Sequence, residues 1–148
     1  MLFIPGFLSC ASASRKVDFL RAHCAATGKH FFSYDPEGLG TAPVKDFSLL
    51  RFAHWEEDAR LALDCARAQL GSQGHVTVVG SSMGGTVALR LASARPEAVA
   101  KLLLVCPSLG MSGAAAAWNR ELRGKSDEEK RRIVEQGNRL MNRVIRTN

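Results

Sequence analysis

Short continuous apolar runs alternate along the chain with longer stretches whose apolar positions recur every three or four residues. Leu2 to Pro5, His30 to Tyr34, His75 to Val79 and Lys101 to Cys106 read as strands. Between the first two, Ser14 stands where a helix cap is expected, Val17, Leu20 and Cys24 form an apolar stripe, and Gly28 ends the helix. A second helix is predicted from about Leu50 to Leu70. Its buried side is Phe52, Trp55, Ala59, Leu63, Ala66 and Leu70, and its wet side Glu56, Glu57, Arg60 and Arg67. A third runs from Met83 to Ala94, with Pro96 marking its exit. Asp35-Pro36-Glu37-Gly38-Leu39-Gly40 is punctuated as a turn. Strands apolar on both faces, separated by amphipathic helices, predict an α/β fold: a parallel sheet with helices on both sides.

The pattern changes after Pro107, which divides the chain into a core over 1–107 and a helical tail over 108–148. Ser108 to Ala117 is rich in small residues. Ser126-Asp127-Glu128-Glu129 is a capping box opening a helix with Ile133, Leu140, Met141, Val144 and Ile145 on one side. Of the net charge of +6, most falls in the last thirty residues, where nine Lys or Arg face five Asp or Glu. A solvated helix face accounts for this pattern, so neither nucleic acid nor an anionic membrane is expected as a partner. No apolar run approaches the ~20 residues that span a bilayer. Met1 to Leu8 lacks a basic start and a cleavage site, and reads as a strand rather than a secretion signal. The four cysteines, Cys10, Cys24, Cys65 and Cys106, show no close pairing and are expected as buried core thiols in a reducing compartment. They suggest neither a disulfide nor a metal site.

The candidate chemistry lies at Gly80-Ser81-Ser82-Met83-Gly84, between a predicted strand and a predicted helix. Gly-x-Ser-x-Gly in that context makes a sharp elbow with Ser82 at its apex. A serine hydroxyl needs a base to take its proton and donors to hold the oxyanion. The elbow addresses the second need, because the Met83 N–H lies at the positive end of a helix. Gly80 and Gly84 permit the turn. A second donor is expected from the loop after the first strand, Pro5-Gly6-Phe7-Leu8, with the Phe7 N–H as candidate. No Lys follows Gly85, so the phosphate-binding-loop pattern is not met.

These stretches resemble an α/β-hydrolase. More narrowly, the chain is similar to the mitochondrial α/β-hydrolase domain-containing depalmitoylase and acyl-glucuronide esterase family. The resemblance rests on Phe3 to Ser9, Tyr34 to Gly40, Trp55 to Asp58, and Val79 to Gly85 with its continuation to Glu97, together spanning about Leu2 to Pro107. It implies a three-layer, mostly parallel sheet and a serine hydrolase of small-molecule carboxylic esters or thioesters, without cofactor or metal. Ser82 would be the nucleophile, and Phe7 and Met83 the oxyanion donors. The Asp35 to Gly40 turn would be structural. The scattered cysteines and the lack of a secretion signal lead to the expectation of a cytoplasmic, not a secreted, protein, and the resemblance alone adds the mitochondrial matrix.

The triad order of that fold is serine, acid, histidine. The four histidines, His23, His30, His54 and His75, all precede Ser82. The acids that follow Ser82 are Glu97, Glu121, Asp127, Glu128, Glu129 and Glu135. None stands directly after the fourth strand, which reads Cys106-Pro107-Ser108. The expectation is a truncated fold, the amino-terminal half of a hydrolase plus the start of its lid, with very weak activity. The alternative is a non-catalytic protein that binds an acyl ligand or a partner. A third possibility is a second chain supplying acid and base.

Overall fold

In the computed structural model, which describes residues 1–11, 14–44, 46, 49–71, 74–110, 124–126, 128–129 and 132, seven elements follow one another. They are β1 (Leu2–Ile4), α1 (Arg15–Ala26), β2 (Phe32–Ser33), α2 (Phe52–Leu70), β3 (Val76–Ser81), α3 (Met83–Ala94) and β4 (Val99–Val105). The four strands form one parallel sheet in the order β2-β1-β3-β4. The chain divides into two compact units, Met1–Leu109 and Gly110–Asn148.

The two-residue alternation of the strands sorts their side chains between two layers. Leu2, Ile4, Val76 and Val78 join Ala59 and Leu63 of α2 and Val87, Ala88 and Leu91 of α3 in one buried cluster. Phe3 and Val79 point the other way, onto Val17 of α1, with Leu20 packed alongside. This sorting follows from connectivity. The chain moves outward from β1 to β2, then back past β1 to β3 and on to β4. Right-handed crossovers put a helix on opposite faces when the direction of travel reverses. The connections leaving β1 and β3 therefore diverge. The crevice between their carboxyl ends is the topological switch point, where open α/β sheets hold ligands.

Several boundaries differ from expectation for physical reasons. The predicted second strand, His30 to Tyr34, shrinks to Phe32–Ser33, because it pairs with β1 alone and β1 offers only Leu2 and Phe3 as partners. β3 extends past Val79 to Ser81, since Gly80 and Ser81 pair with Leu104 and Val105 of β4. β4 begins at Val99 and ends before Cys106, whose φ of 45° leaves the strand conformation. α2 begins at Phe52 rather than Leu50. Ser14 occupies the cap position of α1, and its carbonyl accepts the Asp18 N–H at 3.0 Å, but its hydroxyl makes no capping bond. The cysteines are expected in the core, yet only Cys24 is buried, and Cys65 and Cys106 are exposed. In the second unit, the Ser126–Glu129 capping box is present. The Ser126 N–H donates to the Glu129 carboxylate at 2.8 Å, and the Glu129 N–H to Ser126 Oγ at 3.3 Å. The helical stripe expected from Ile133 to Ile145 lies outside the described residues.

The turn after β2 is organised by one carboxylate. Asp35 accepts the Ala11 N–H at 2.6 Å, and both the N–H and the hydroxyl of Thr41 at 2.9 Å. Gly40, at φ 57°, closes on that carboxylate so tightly that a Cβ there would overlap it. A second carboxylate, Asp58 on α2, accepts the Glu37 N–H at 2.7 Å, and the Trp55 indole N–H donates to the Glu37 carbonyl at 3.0 Å. The turn is thus fastened to both the β1 loop and α2. Desolvation tends to raise the Asp35 pKa, but the bonds from Thr41 and Ala11 outweigh it and hold the carboxyl below its ordinary value.

Two outcomes follow for stability. Leu63 is fully buried, and Leu63→Ala should cost about 2–5 kcal/mol in urea denaturation. For Asp35, a depressed folded pKa means a contribution that is complete above the unfolded pKa and lost as pH falls through the folded one. Asp35→Ala should cost on the order of 2 kcal/mol near neutrality. The gap between variant and wild type should close as pH falls below about 4. A gap independent of pH would assign the loss to packing and not to the charge.

Candidate active site

Three loops meet at the carboxyl ends of β1, β3 and β4, and each contains a residue whose backbone is strained. Leu8, Ser82 and Cys106 are the three non-glycine residues with positive φ among those described, at 57°, 55° and 45°. Such conformations cost on the order of 1–3 kcal/mol each and persist only where the surroundings enforce them. Ser82 has ψ −123° and serves as the cap residue of α3, between the last strand residue and the first helical one.

The enforcement is visible in the packing. Residues 80–82 aim in three directions. At Gly80 the backbone lies against α3, so that a Cβ would collide with the Gly84 carbonyl and Ala88. Ser81, buried, turns to the α1 side and accepts a hydrogen bond from Lys16 Nζ at 3.0 Å. Ser82 is left exposed at the apex. Gly84 presses the first turn of α3 onto the end of β1, where a Cβ would overlap the Ile4 and Pro5 carbonyl oxygens. From the other side, Gly6 brings the β1 loop over the elbow. A Cβ on Gly6 would lie 3.0 Å from Ser82 Cβ and 3.6 Å from its Oγ.

The two backbone donors expected from the sequence belong to Met83, which follows Ser82, and Phe7, which follows Gly6. Met83 opens α3, so its N–H belongs to the first turn, where backbone donors have no acceptor within the helix and the macrodipole is positive. Phe7 directly follows Gly6. Its ring is 47% exposed and tilts against Trp55 of α2 at a centroid distance of 6.2 Å. The β1 loop is held by a turn in which the Ser9 N–H donates to the Gly6 carbonyl at 3.1 Å.

The loop after β4 closes the third side. The Ser82 N–H donates to the Val105 carbonyl at 3.0 Å, and the Ser108 N–H to the Ser82 carbonyl at 3.0 Å. The two hydroxyls of Ser82 and Ser108 are 3.2 Å apart. Sequence reading noted Cys106-Pro107-Ser108 only for lacking an acid, and missed this contact. It also missed Lys16, while Gly6 was noted only as part of the loop after β1 and not for its contact with Ser82. All three reach the elbow from elements distant along the chain, Lys16 from α1 and Gly6 and Ser108 from loops, which no local spacing signals.

The histidines lie elsewhere. His30 and His75 precede β2 and β3, at the amino-terminal edge of the sheet, and His23 sits in the last turn of α1. His54, in α2, has its Nδ1 3.6 Å from the Glu37 carboxylate. Among the described residues no group of three His, Cys, Asp or Glu could hold a metal ion, and no helix is long and apolar enough to cross a membrane.

Comparison with known proteins agrees with this architecture. Residues 2–147 match the family described as serine aminopeptidase, S33. Mitochondrial palmitoyl-protein thioesterase ABHD10 of Rattus norvegicus is 31% identical over 103 residues, covering 70% of this chain and 32% of that protein. Lipase LipV of Mycobacterium tuberculosis is 42% identical over 62 residues, covering 42% of this chain and 24% of that protein. Among solved structures, the α/β-hydrolase domain-containing protein 10 from mouse superposes with a TM-score of 0.66 at 27% identity, covering 92% of this chain and 49% of that one. A hydrolase from Agrobacterium vitis S4 superposes with a TM-score of 0.66 at 22% identity, over 92% of this chain and 50% of that one, a likeness of fold. The chain spans a third or less of the length of these curated relatives, and about half of the solved ones. The resemblance carried by the elbow and its neighbouring motifs is thereby borne out: this chain belongs to the serine aminopeptidase S33 family of α/β-hydrolases.

Proposed function

We propose that the described site is the nucleophile half of a serine hydrolase acting on carboxylic esters or thioesters. Ser82 attacks the acyl carbon, and the N–H groups of Met83 and Phe7 receive the oxyanion. The observation that carries this reading is the strained backbone of Ser82 at the switch point. A non-glycine residue held at positive φ, with its hydroxyl exposed and a helix amino terminus beside it, has no structural need to be serine. The printed names of relatives support the substrate class. The rat protein is called a palmitoyl-protein thioesterase and the mycobacterial one a lipase, so an acyl group is the shared element. The rat protein is also called mitochondrial, which makes the matrix or the cytoplasm the compartment proposed with this reading.

The proposal includes a deficit. No histidine follows Ser82 in these 148 residues, and the acids that follow it are Glu97 and those from Glu121 onward in the tail. Loss of triad members costs on the order of 10⁴–10⁶ in rate, while an oxyanion hole alone retains about 10³–10⁴ over water. These 148 residues should therefore turn over a p-nitrophenyl ester very slowly.

A fluorophosphonate probe should label the chain slowly, and the label should vanish in Ser82→Ala. Absence of any Ser82-dependent label would favour the alternative of a non-catalytic acyl-ligand binder. Strain gives a second measurement. Ser82→Gly should be more stable than Ser82→Ala by about 1 kcal/mol in thermal denaturation, because glycine accepts positive φ while alanine does not. Equal stability of the two variants would mean that the elbow stores no strain.

A further inference from the structure

The loop that follows β4 supplies more than a wall. Its backbone is tied to Ser82 at both ends: the Ser82 N–H donates to Val105, and the Ser108 N–H donates to Ser82. The Ser108 carbonyl in turn accepts the Thr86 hydroxyl of α3 at 2.7 Å. Ser108 is thus fixed through its own N–H and C=O, to the elbow and to the helix that leaves it. Cys106, at φ 45°, turns the chain so that these bonds can form. With its backbone immobilised, Ser108 presents its Oγ 3.2 Å from Ser82 Oγ.

We propose that Ser108 is a positioning residue for the Ser82 hydroxyl, an inference that rests on Ser82 being the nucleophile. A lone serine hydroxyl on an exposed apex is free to occupy three staggered rotamers. A neighbouring hydroxyl at hydrogen-bond distance selects one of them and directs the Ser82 oxygen. Either hydroxyl can be the donor, and the selection holds in both cases. Ser108 does not serve as the base, since a neutral hydroxyl cannot hold the transferred proton. Its role is to reduce the orientational search of Ser82 before attack.

The experiment uses the whole chain and two readouts. Fluorophosphonate labelling of Ser82 should slow about tenfold in Ser108→Ala, the rate equivalent of one hydrogen bond. It should return to within about threefold of wild type in Ser108→Thr, which keeps the hydroxyl. Alanine retains the backbone bonds to Ser82 and Thr86, so a merely structural role would leave the rate unchanged, and that result overturns the proposal. The second readout needs no reactivity. In a double-mutant cycle by urea denaturation, Ser108→Ala should lower the folding equilibrium constant by about threefold when Ser82 is present and leave it unchanged in Ser82→Ala. Absence of coupling overturns the contact itself. A wild-type chain that takes no label at all sinks the nucleophile reading instead, and the cycle then decides whether Ser108 engages Ser82.

Discussion

The structure depends on backbone meeting backbone with nothing between. The first turn of α3 rests on the carbonyl oxygens of Ile4 and Pro5, and Gly84 is the residue whose missing side chain allows it. That approach does three things at once. It brings the amino terminus of α3 to the crevice between β1 and β3. It forces the chain to reverse from strand to helix within one residue, which Ser82 can do only at positive φ. It also leaves the β1 loop no route except over the elbow, so Gly6 comes within contact of Ser82. The close approach, the strain and the helix amino terminus at the crevice are consequences of one packing constraint.

The same constraint explains why the strain is spread over three loops. β1, β3 and β4 end almost level, as their register shows, with Ile4 against Gly80 and Ser81 against Val105. Each strand must then turn away within a residue or two to avoid its neighbour. Ser82 and Cys106, one residue past β3 and β4, absorb those turns, and Leu8 bends the β1 loop four residues past Ile4. The two central strands, β1 and β3, are buried on both faces and can hold such conformations because their core does not yield: Leu2, Phe3, Ile4, Val78 and Val79 are essentially inaccessible. Rigidity at the carboxyl edge is what lets hydrogen bonds among the loops keep a fixed geometry.

Much of this was legible in the sequence, and unequally so. α3 was read at its full extent because its signals are local: a glycine-bounded turn, an apolar stripe and a terminating Pro96. The stripe of α2 was likewise readable, and Ala59, Leu63 and Ala66 are its buried centre. Strand ends were not, because a strand stops where its partner stops. β2 is short owing to β1, and β3 is long owing to β4. Within the site, Ser82 and its flanking glycines announce themselves by spacing. Ser108 and Lys16 do not, since they reach the elbow from 26 and 65 residues away along the chain. The Asp35 turn was marked by its glycines and proline, but not its dependence on a carboxylate that ties it to Ala11.

The placement of the histidines follows from the same sheet geometry. β3 spans six residues from Val76 to Ser81, so at ~3.3 Å per residue its ends are about 17 Å apart. His75 at one end cannot share a proton with Ser82 at the other, because transfer requires about 3 Å. His30 stands at that same far edge, where its carbonyl accepts the amino terminus at 2.7 Å. His23 closes α1, which runs back toward the amino-terminal edge after leaving β1 at the carboxyl end. His54 alone begins a helix at the carboxyl edge, and its Nδ1 faces a carboxylate on the turn after β2. A parallel sheet gathers its loops at one edge, and a base for Ser82 has to come from a loop at that edge. Among the described residues, those loops bring Gly6 and the Ser108 hydroxyl to the elbow, groups that shape and contact Ser82 and cannot hold a proton at neutral pH.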